Sequence, residues 1–330
     1  MQILGDSNAT LKDLTRIVEA ELMEPADPLY PIIASEIESA DEAYIKIPFQ
    51  TKVAFPTLFD GEREDTSTEV NVVQQYNKAT YSLTLDYNSD LMRESKAYTF
   101  AEKTQEGAIS AKIFPNYNLT KNVIVANPLA YDGVAFYGTT HKWAKSGPNV
   151  INNTVAATGQ TPQALYADLQ SAVTKLRTFL DDKGRLLNPN VKYGADQLVI
   201  HCPVALEIAF RQVVFGSLIP GVGSTSSPTI SGTAPGSTSV TINGPKDIGL
   251  QGIARIVSDG YLDAASATTW YLHFVGAPQR PFAYGESYGI QSKALGFGSE
   301  FETNTNKVRI ALKHRFVEAL YRYDRSIRIA

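Results

Sequence analysis

The sequence predicts an α+β protein, on three observations. A long apolar stripe at helical spacing runs through "TPQALYADLQSAVTKLRTFL". Period-two alternation of apolar and polar residues marks "ATYSLTLDY" and the stretch from Lys307 onward. The apolar run "DQLVIHC" stands between two helical patterns, as a buried strand does. The chain has 330 residues, more than the roughly 250–300 over which a single core keeps growing. Two packed lobes, or one core with long extensions, are therefore expected.

Taken in order, residues 8–22 form a short amphipathic helix. Asn8 or Thr10 can cap it, and Leu11, Leu14, Ile17, Val18 and Leu22 recur along one face. The proline-rich "EPADPLYP" ends it, so residues 1–42 read as an N-terminal arm outside the core. Residues 43–88 read as a long hairpin, in which "AYIKIPFQTKVAF" and "ATYSLTLDY" flank the charged tip "DGEREDTSTE". A two-stranded ribbon is marginal alone in water, so one of this length needs another surface to lie on. From Ser89 or Asp90, a helical face of Ala97, Phe100, Ala101, Thr104, Ala108 and Ala111 runs to Phe114. It is interrupted at Pro115 and resumes in "NLTKNVIVAN". Gly107 weakens this helix by up to ~1 kcal/mol relative to alanine.

The clearest helix has Thr161 as N-cap and Pro162 at its first position, where the missing N–H costs nothing. Leu165, Leu169, Ala172, Val173, Leu176 and Leu180 form its stripe, and Gly184 fits its end or the turn just after it. The strand Asp196–Cys202 and a proline-opened helix, Pro203–Val214, complete the centre of a mixed lobe. Residues 216–247 are rich in Gly, Ser, Thr and Pro and read as a flexible loop inserted in that lobe. Strands return at Thr268–Gly276 and Asn306–Asp324.

Composition is that of an ordinary folded protein, 43% hydrophobic and 19% charged, with a net charge of −4. A general nucleic-acid binder needs a basic surface to displace counterions from phosphates, so that class is disfavoured. Charge is unevenly spread. Acids dominate residues 1–70, whereas Lys307, Arg309, Lys313, Arg315, Arg322, Arg325 and Arg328 crowd the end. This suggests self-complementary contacts within or between copies; the plainer reading is two solvated faces. The single cysteine, Cys202, sits in an apolar run and reads as a buried hydrophobe. No secretory signal and no membrane-length apolar run is visible, which predicts a protein made in the cytoplasm, with no membrane partner.

Chemical motifs are thin. The four histidines, His141, His201, His273 and His314, lack metal-ligand spacing, and no cofactor motif is present. "GVGSTSS" lacks the lysine of a phosphate loop. Asp181 and Asp182 pair at a helix C-terminus, an unfavourable position for acids, and read as a tolerated surface cost. His201 and His273 lie in apolar strands and read as core or sheet-face residues. In "AFYGTTHKWA", His141 lies beside Thr139 and Thr140. An imidazole needs a third group to orient it before it can act as a base, and none can be picked from the sequence. The alternative is a histidine that fixes where the chain enters the second lobe.

The order of these features carries a resemblance. "FYGTTHKWA", followed by "LYADLQSAVTKLRTFLDDKGRLLNPNVKYGADQLVIHCPVALEIAFRQVV", resembles the major head subunit of Mu-like bacteriophages. In that family an aromatic–x–T/D–x–H segment precedes a helix ending in DDKGRPL, a strand, a double proline and a second helix. "FDGERE" (Phe59–Glu64) is similar to the family's W-x-G-E-R segment. Lys142 stands where the family has proline, and Cys202 where it has the first of two prolines. The resemblance implies the Hong Kong 97 phage-type major capsid fold. Its parts would be an N-terminal arm (1–42), an extended β-hairpin loop (43–88), a spine helix with the first part of the peripheral domain (89–150), an axial domain (151–265), and return strands (266–330) completing both sheets.

It further implies a non-enzymatic subunit of an icosahedral shell around double-stranded DNA, in a virion assembled in the bacterial cytoplasm. The partners would be other copies in hexamers and pentamers, scaffold and portal proteins, and packaged DNA touched non-specifically on the inner face. A hairpin that cannot bury a face on its own subunit can lie on a neighbour's. The tip residues Asp60, Glu62, Arg63, Glu64 and Asp65 would then meet basic residues of the next copy, with Arg322 and Arg325 of the tail as candidates. His141 and Gly184 would be structural. The alternatives are a nanocompartment of the same fold enclosing enzyme cargo, and a hydrolase using His141.

Overall fold

The computed structural model describes residues 7–23, 29–37, 43–50, 52, 70–94, 98–145, 148–215 and 252–330. In chain order, helix α1 (Ser7–Met23) is followed by the short α2 (Tyr30–Ile33) and strand β1 (Ala34–Glu36). Next come β2 (Tyr44–Gln50), β3 (Val70–Asn77), β4 (Ala79–Asn88), α3 (Ser89–Glu94) and α4 (Tyr98–Asn118), which runs into a π-helix, Leu119–Val125. The second half holds β5 (Thr154–Val155), α5 (Pro162–Thr178), β6 (Leu198–Cys202), α6 (Val204–Phe215), β7 (Arg255–Ser258), α7 (Gly260–Asp263) and β8 (Trp270–Phe274). It closes with β9 (Phe282–Leu295), α8 (Glu300–Thr305), β10 (Lys307–Leu320), a 3-10 turn (Tyr323–Arg325) and β11 (Ser326–Ile329). Two sheets organise the chain, one four-stranded in the order β1-β9-β10-β4 and one five-stranded in the order β5-β11-β8-β6-β7, while β2 and β3 pair as a separate ribbon.

The four-stranded sheet is built on β10, whose even-numbered residues Val308, Ile310 and Leu312 are buried while Lys307 and Lys313 face solvent. On the buried face lies α4. Gly107 sits where a Cβ would stand 2.7 Å from Leu85 Cδ1 of β4, so the residue that weakens the helix is also what lets it lie close to the sheet. Helix α1 packs here too. Leu11, Leu14 and Val18 join Leu85, Tyr87, Met92, Ala108, Val308, Ile310 and Leu312 in one buried cluster. This corrects the reading of α1 as an arm outside the core. Its apolar face is covered by α4 and the four-stranded sheet of the same chain. The helix begins at Ser7, ahead of both Asn8 and Thr10.

The hairpin reading also needs correction. The return partner of β2 is β3, in antiparallel register from Tyr44↔Asn77. "ATYSLTLDY" is instead β4, the edge strand paired along β10. Nor is the ribbon root unsupported, because Ile45, Ile47 and Phe49 are buried in the main core. The charged tip, Asp60 to Glu69, lies outside the described residues, as does the loop 216–247. Gly285 of β9 is what seats the root, since a Cβ there would stand 2.6 Å from Ile45 Cγ2. Gly285→Ala is therefore expected to lift the ribbon and cost about 1–3 kcal/mol in urea denaturation, the usual price of overpacking; an unchanged midpoint would contradict this seating.

Asn88, and not Ser89 or Asp90, caps α3, its Oδ1 accepting from the N–H of Asp90 at 2.9 Å and of Leu91 at 3.1 Å. Pro115 does not interrupt α4, which continues to Asn118. The missing N–H removes one helical hydrogen bond, and the backbone widens into the π-helix within the next turn. In the second lobe, Thr161 caps α5 by accepting from Ala164 N–H. Leu165, Leu169, Ala172, Val173 and Leu176 are buried along one stripe, while Leu180 falls past the helix end. Strand β6 is buried throughout, and the Asp263 carboxylate accepts from the N–H of Val204 (2.7 Å) and Ala205 (3.2 Å) at the start of α6. Cys202 is a buried free thiol, its pKa pushed up to about 12 by burial.

Candidate functional site

Residues from both halves of the chain converge around His141. The backbone there forms an antiparallel bridge with Ile151, with bonds of 3.1 and 2.8 Å. The imidazole is fully buried. Nδ1 lies 2.8 Å from Asp132 Oδ2 and Nε2 lies 3.0 Å from the Phe136 carbonyl oxygen. Its ring stacks on Tyr323 at 4.1 Å. Asp132 is the orienting group that sequence reasoning missed. The signal was the Asp132-Gly133 pair, a turn dipeptide. Gly133 has φ +82, and that turn folds Asp132 back against a histidine nine positions on. Burial raises the Asp132 carboxyl pKa, but the bond and charge of His141, with the N–H bonds of Val134 and Lys142, together outweigh it and hold the group below its ordinary range.

Thr139 and Thr140 face solvent, and both imidazole nitrogens are engaged by acceptors. No hydroxyl nucleophile sits on the ring as a hydrolase would require. His141 lines none of the clefts of about 800, 330 and 280 Å³ on the subunit. Among the described residues, no group of three or more His, Cys, Asp or Glu is placed to hold a metal ion, and no helix is long and apolar enough to cross a membrane.

What the network does hold is the ribbon. Tyr323 Oη bonds Tyr131 Oη at 2.8 Å, and Tyr131 stacks on Phe49 of β2 at 3.7 Å. Trp143 Nε1 donates to the Gln50 carbonyl at 3.1 Å. The Trp143 ring also receives two cations, Lys52 at 4.9 Å and Arg322 at 4.8 Å. Asn153 donates to the carbonyls of Phe136 (2.7 Å) and Tyr323 (3.1 Å), closing the join. The ribbon root, the His141 segment and the C-terminal turn are thus fastened together.

The tail arginines are not where the sequence reading put them. Arg322 is buried and bonds Asp324 through Nε and Nη2, both at 2.7 Å. Burial would raise the Asp324 pKa, yet Arg322 holds it below the ordinary range. Arg325 is buried and donates to the Gln279 carbonyl. Both are spent inside the subunit, which removes them as contacts to another copy. Asp60, Glu62, Arg63, Glu64 and Asp65 lie outside the described residues. Gly184, with φ +75, lies in the turn after α5. The turn is held by Asp181, which is buried and accepts from the N–H of Lys183 (2.9 Å) and Arg185 (2.8 Å), so that acid is not a surface cost. Asp182 accepts from Lys52 N–H at 3.3 Å. His201 and His273 are buried in the five-stranded sheet. His201 bonds Asp259 at 3.2 Å and His273 bonds Ser326 at 2.9 Å.

A long helix on a β10-centred sheet, a separate ribbon and a second mixed lobe, fastened together at the His141 join, make up the Hong Kong 97 phage-type capsid fold. The phage capsid protein family matches residues 116–326, more than half of the chain, and the chain belongs to that family. Membership of that family gives it the role of a phage capsid protein. Among solved structures, the mature capsid of bacteriophage PhiM1 is 10% identical at a TM-score of 0.53, over 93% of this chain and 87% of that one. A virus-like particle from Pyrococcus furiosus is 7% identical at 0.52, over 97% and 98%. At such identities the likeness is one of fold. The bacteriophage JBD30 capsid is 11% identical at 0.48, over 93% of this chain, which spans 65% of that chain's length. A comparison with curated proteins finds no match.

Proposed function

We propose that copies of this chain, a Mu-like major head subunit, close as hexamers and pentamers into an icosahedral shell around double-stranded DNA in the virion. Scaffold and portal proteins take part in assembly in the host cytoplasm, and the inner face touches DNA non-specifically. The four-stranded sheet with α1 and α4 serves as the peripheral domain and the five-stranded sheet as the axial domain. The "DDKGR" block with its following strand and helix supports the Mu-like assignment. Family membership carries the capsid role.

The contact between copies takes a corrected form. With Arg322 and Arg325 engaged inside the subunit, the outward side of β10 and β9 offers a cluster of cations to an acidic tip. Lys307, Lys313 and Lys293 are exposed there, and Arg315 is half-buried. Of the cations on this face, Arg309 is already held by Asp86 at 2.7 Å. The tip acids Asp60, Glu62, Glu64 and Asp65 of one copy rest on this face of the next.

Reversing Glu62 and Glu64 to lysine is expected to abolish shells seen by electron microscopy while circular dichroism shows a folded subunit. Adding Lys313→Glu and Arg315→Glu is expected to restore them in part. Normal particles from the first variant would remove the tip from assembly. Nucleic acid inside the wild-type particles is the expected content; an enzyme cargo without DNA would make the shell a nanocompartment.

A further inference from the structure

We infer that Glu318 is a proton-operated joint between the long helix and the sheet: while its carboxyl is neutral the end of α4 is held on β10, and ionisation releases that hold. Glu318 lies near the end of β10, only 8% exposed. Its Oε2 accepts from Asn118 Nδ2 at 2.7 Å, and its Oε1 is buried without a protein partner. Asn118 is the last residue of α4, and its own Oδ1 accepts from Asn122 Nδ2, one turn into the π-helix, at 2.6 Å. The chain Glu318–Asn118–Asn122 therefore spans the boundary where the helix changes its winding. That boundary lies three residues beyond Pro115, where the helical ladder is already short of one donor.

Among the described residues, no cation acts on the Glu318 carboxyl. Tyr30 of α2, Tyr81 of β4 and Tyr284 of β9 are each pushed up by burial first and by the Glu318 charge as a lesser cause. Glu286 of β9 and Glu36 of β1 add only negative charge to the same neighbourhood. His314 of β10 is engaged by Glu286 at 2.7 Å and Tyr284 Oη at 3.2 Å. Lys78 reaches the Glu286 carbonyl at 3.4 Å. From α4 comes only the Asn118 amide. Burial drives the Glu318 carboxyl up to about 8, against the opposing pull of that amide. A buried carboxylate without a cation is costly, and the group keeps its proton instead.

The direction follows from linkage. In the closed joint the acid titrates at about 8; in an opened, wet joint it titrates near the ordinary value of about 4.3. The closed form binds the extra proton between these values. Its hold is complete below the lower one, weakens as pH rises, and is lost through about 8, the proton passing to solvent. The opening constant should rise about tenfold per pH unit in that window, since one proton is released. This inference concerns the single subunit and stands apart from the shell reading.

Hydrogen exchange of the full chain, corrected for intrinsic rates and followed over residues 116–126 between pH 5 and 8, tests it. The wild type should show opening that climbs about tenfold per unit, one proton's worth. Glu318→Gln, which keeps an acceptor for Asn118 but cannot ionise, should be flat. Asn118→Ala should open more at every pH with the slope retained. His314→Gln, which removes the nearby imidazole, should keep the slope. A flat wild-type profile, a slope that survives in Glu318→Gln, or one that vanishes in His314→Gln would overturn the proposal.

Discussion

Replacing His141 by alanine is expected to cost the fold about 3–5 kcal/mol, the usual penalty for removing one partner of a buried pair. The loss falls mainly on Asp132, whose side chain is 4% exposed and would keep a buried charge facing a void. Tyr323 would lose the ring stacked on it at 4.1 Å. The Phe136 carbonyl would keep only its bond from Asn153. The pH dependence has a definite sign. The Asp132 carboxyl is held low, despite burial, by His141. Its contribution is therefore complete above the ordinary carboxylate value of about 3.9, and it fades as pH falls through the depressed folded value. Urea denaturation at neutral pH should show the full gap between wild type and His141→Ala, and the gap should narrow in acid. Asp132→Asn, which keeps an acceptor for Nδ1 but no charge, should cost less. A gap below about 1 kcal/mol would place the imidazole among ordinary surface groups and deny it the role of a join.

The second large effect is expected at Leu14→Asp. Leu14 is fully buried in the smaller core, between Leu11 and Val18 on the same face of α1. The substitution forfeits about 1.5–3 kcal/mol of apolar burial and sets a carboxylate against Leu85, Val308 and Ile310, which it cannot satisfy. The outcome should be local. α1 should lose hydrogen-exchange protection and α4 should follow in part, while β6 and β8, which pack in the other core, stay protected. Uniform loss across both sheets would mean that the two cores unfold as one. No change would mean that α1 is the detached arm its proline-rich connector suggested.

These two sites show what a sequence conveys and what it withholds. Helix α5 was legible because its causes are local: Thr161 caps it, Pro162 opens it, and the stripe from Leu165 to Leu176 has one period. The same holds for β6 and for the alternation in β10. Helix α1 was legible as a helix, but periodicity defines a face without saying what covers it. Strand β9 was missed. "FAYGESYGIQSKAL" carries two glycines and little apolar alternation, and it is held by pairing with β10 along most of its length and with β1 at one end. Such a strand owes its structure to neighbours distant in sequence. The ribbon was assigned the wrong return strand because β4 alternates cleanly and β3, "VNVVQQYN", does not. The tail arginines misled for a related reason. Charge can be counted in sequence, but whether an arginine faces out or pairs inward, as Arg322 does with Asp324 two residues on, depends on which face the 3-10 turn presents.

The central claim is that this chain is a tile whose copies build a closed shell. Purified full-length protein, run on size exclusion and imaged by electron microscopy across a concentration series, tests it most directly. The account predicts closed particles of uniform diameter with hexameric and pentameric clusters, each ribbon crossing onto an adjacent copy. A folded species that stays monomeric at every concentration, or particles in which each ribbon lies wholly on its own subunit, would contradict it.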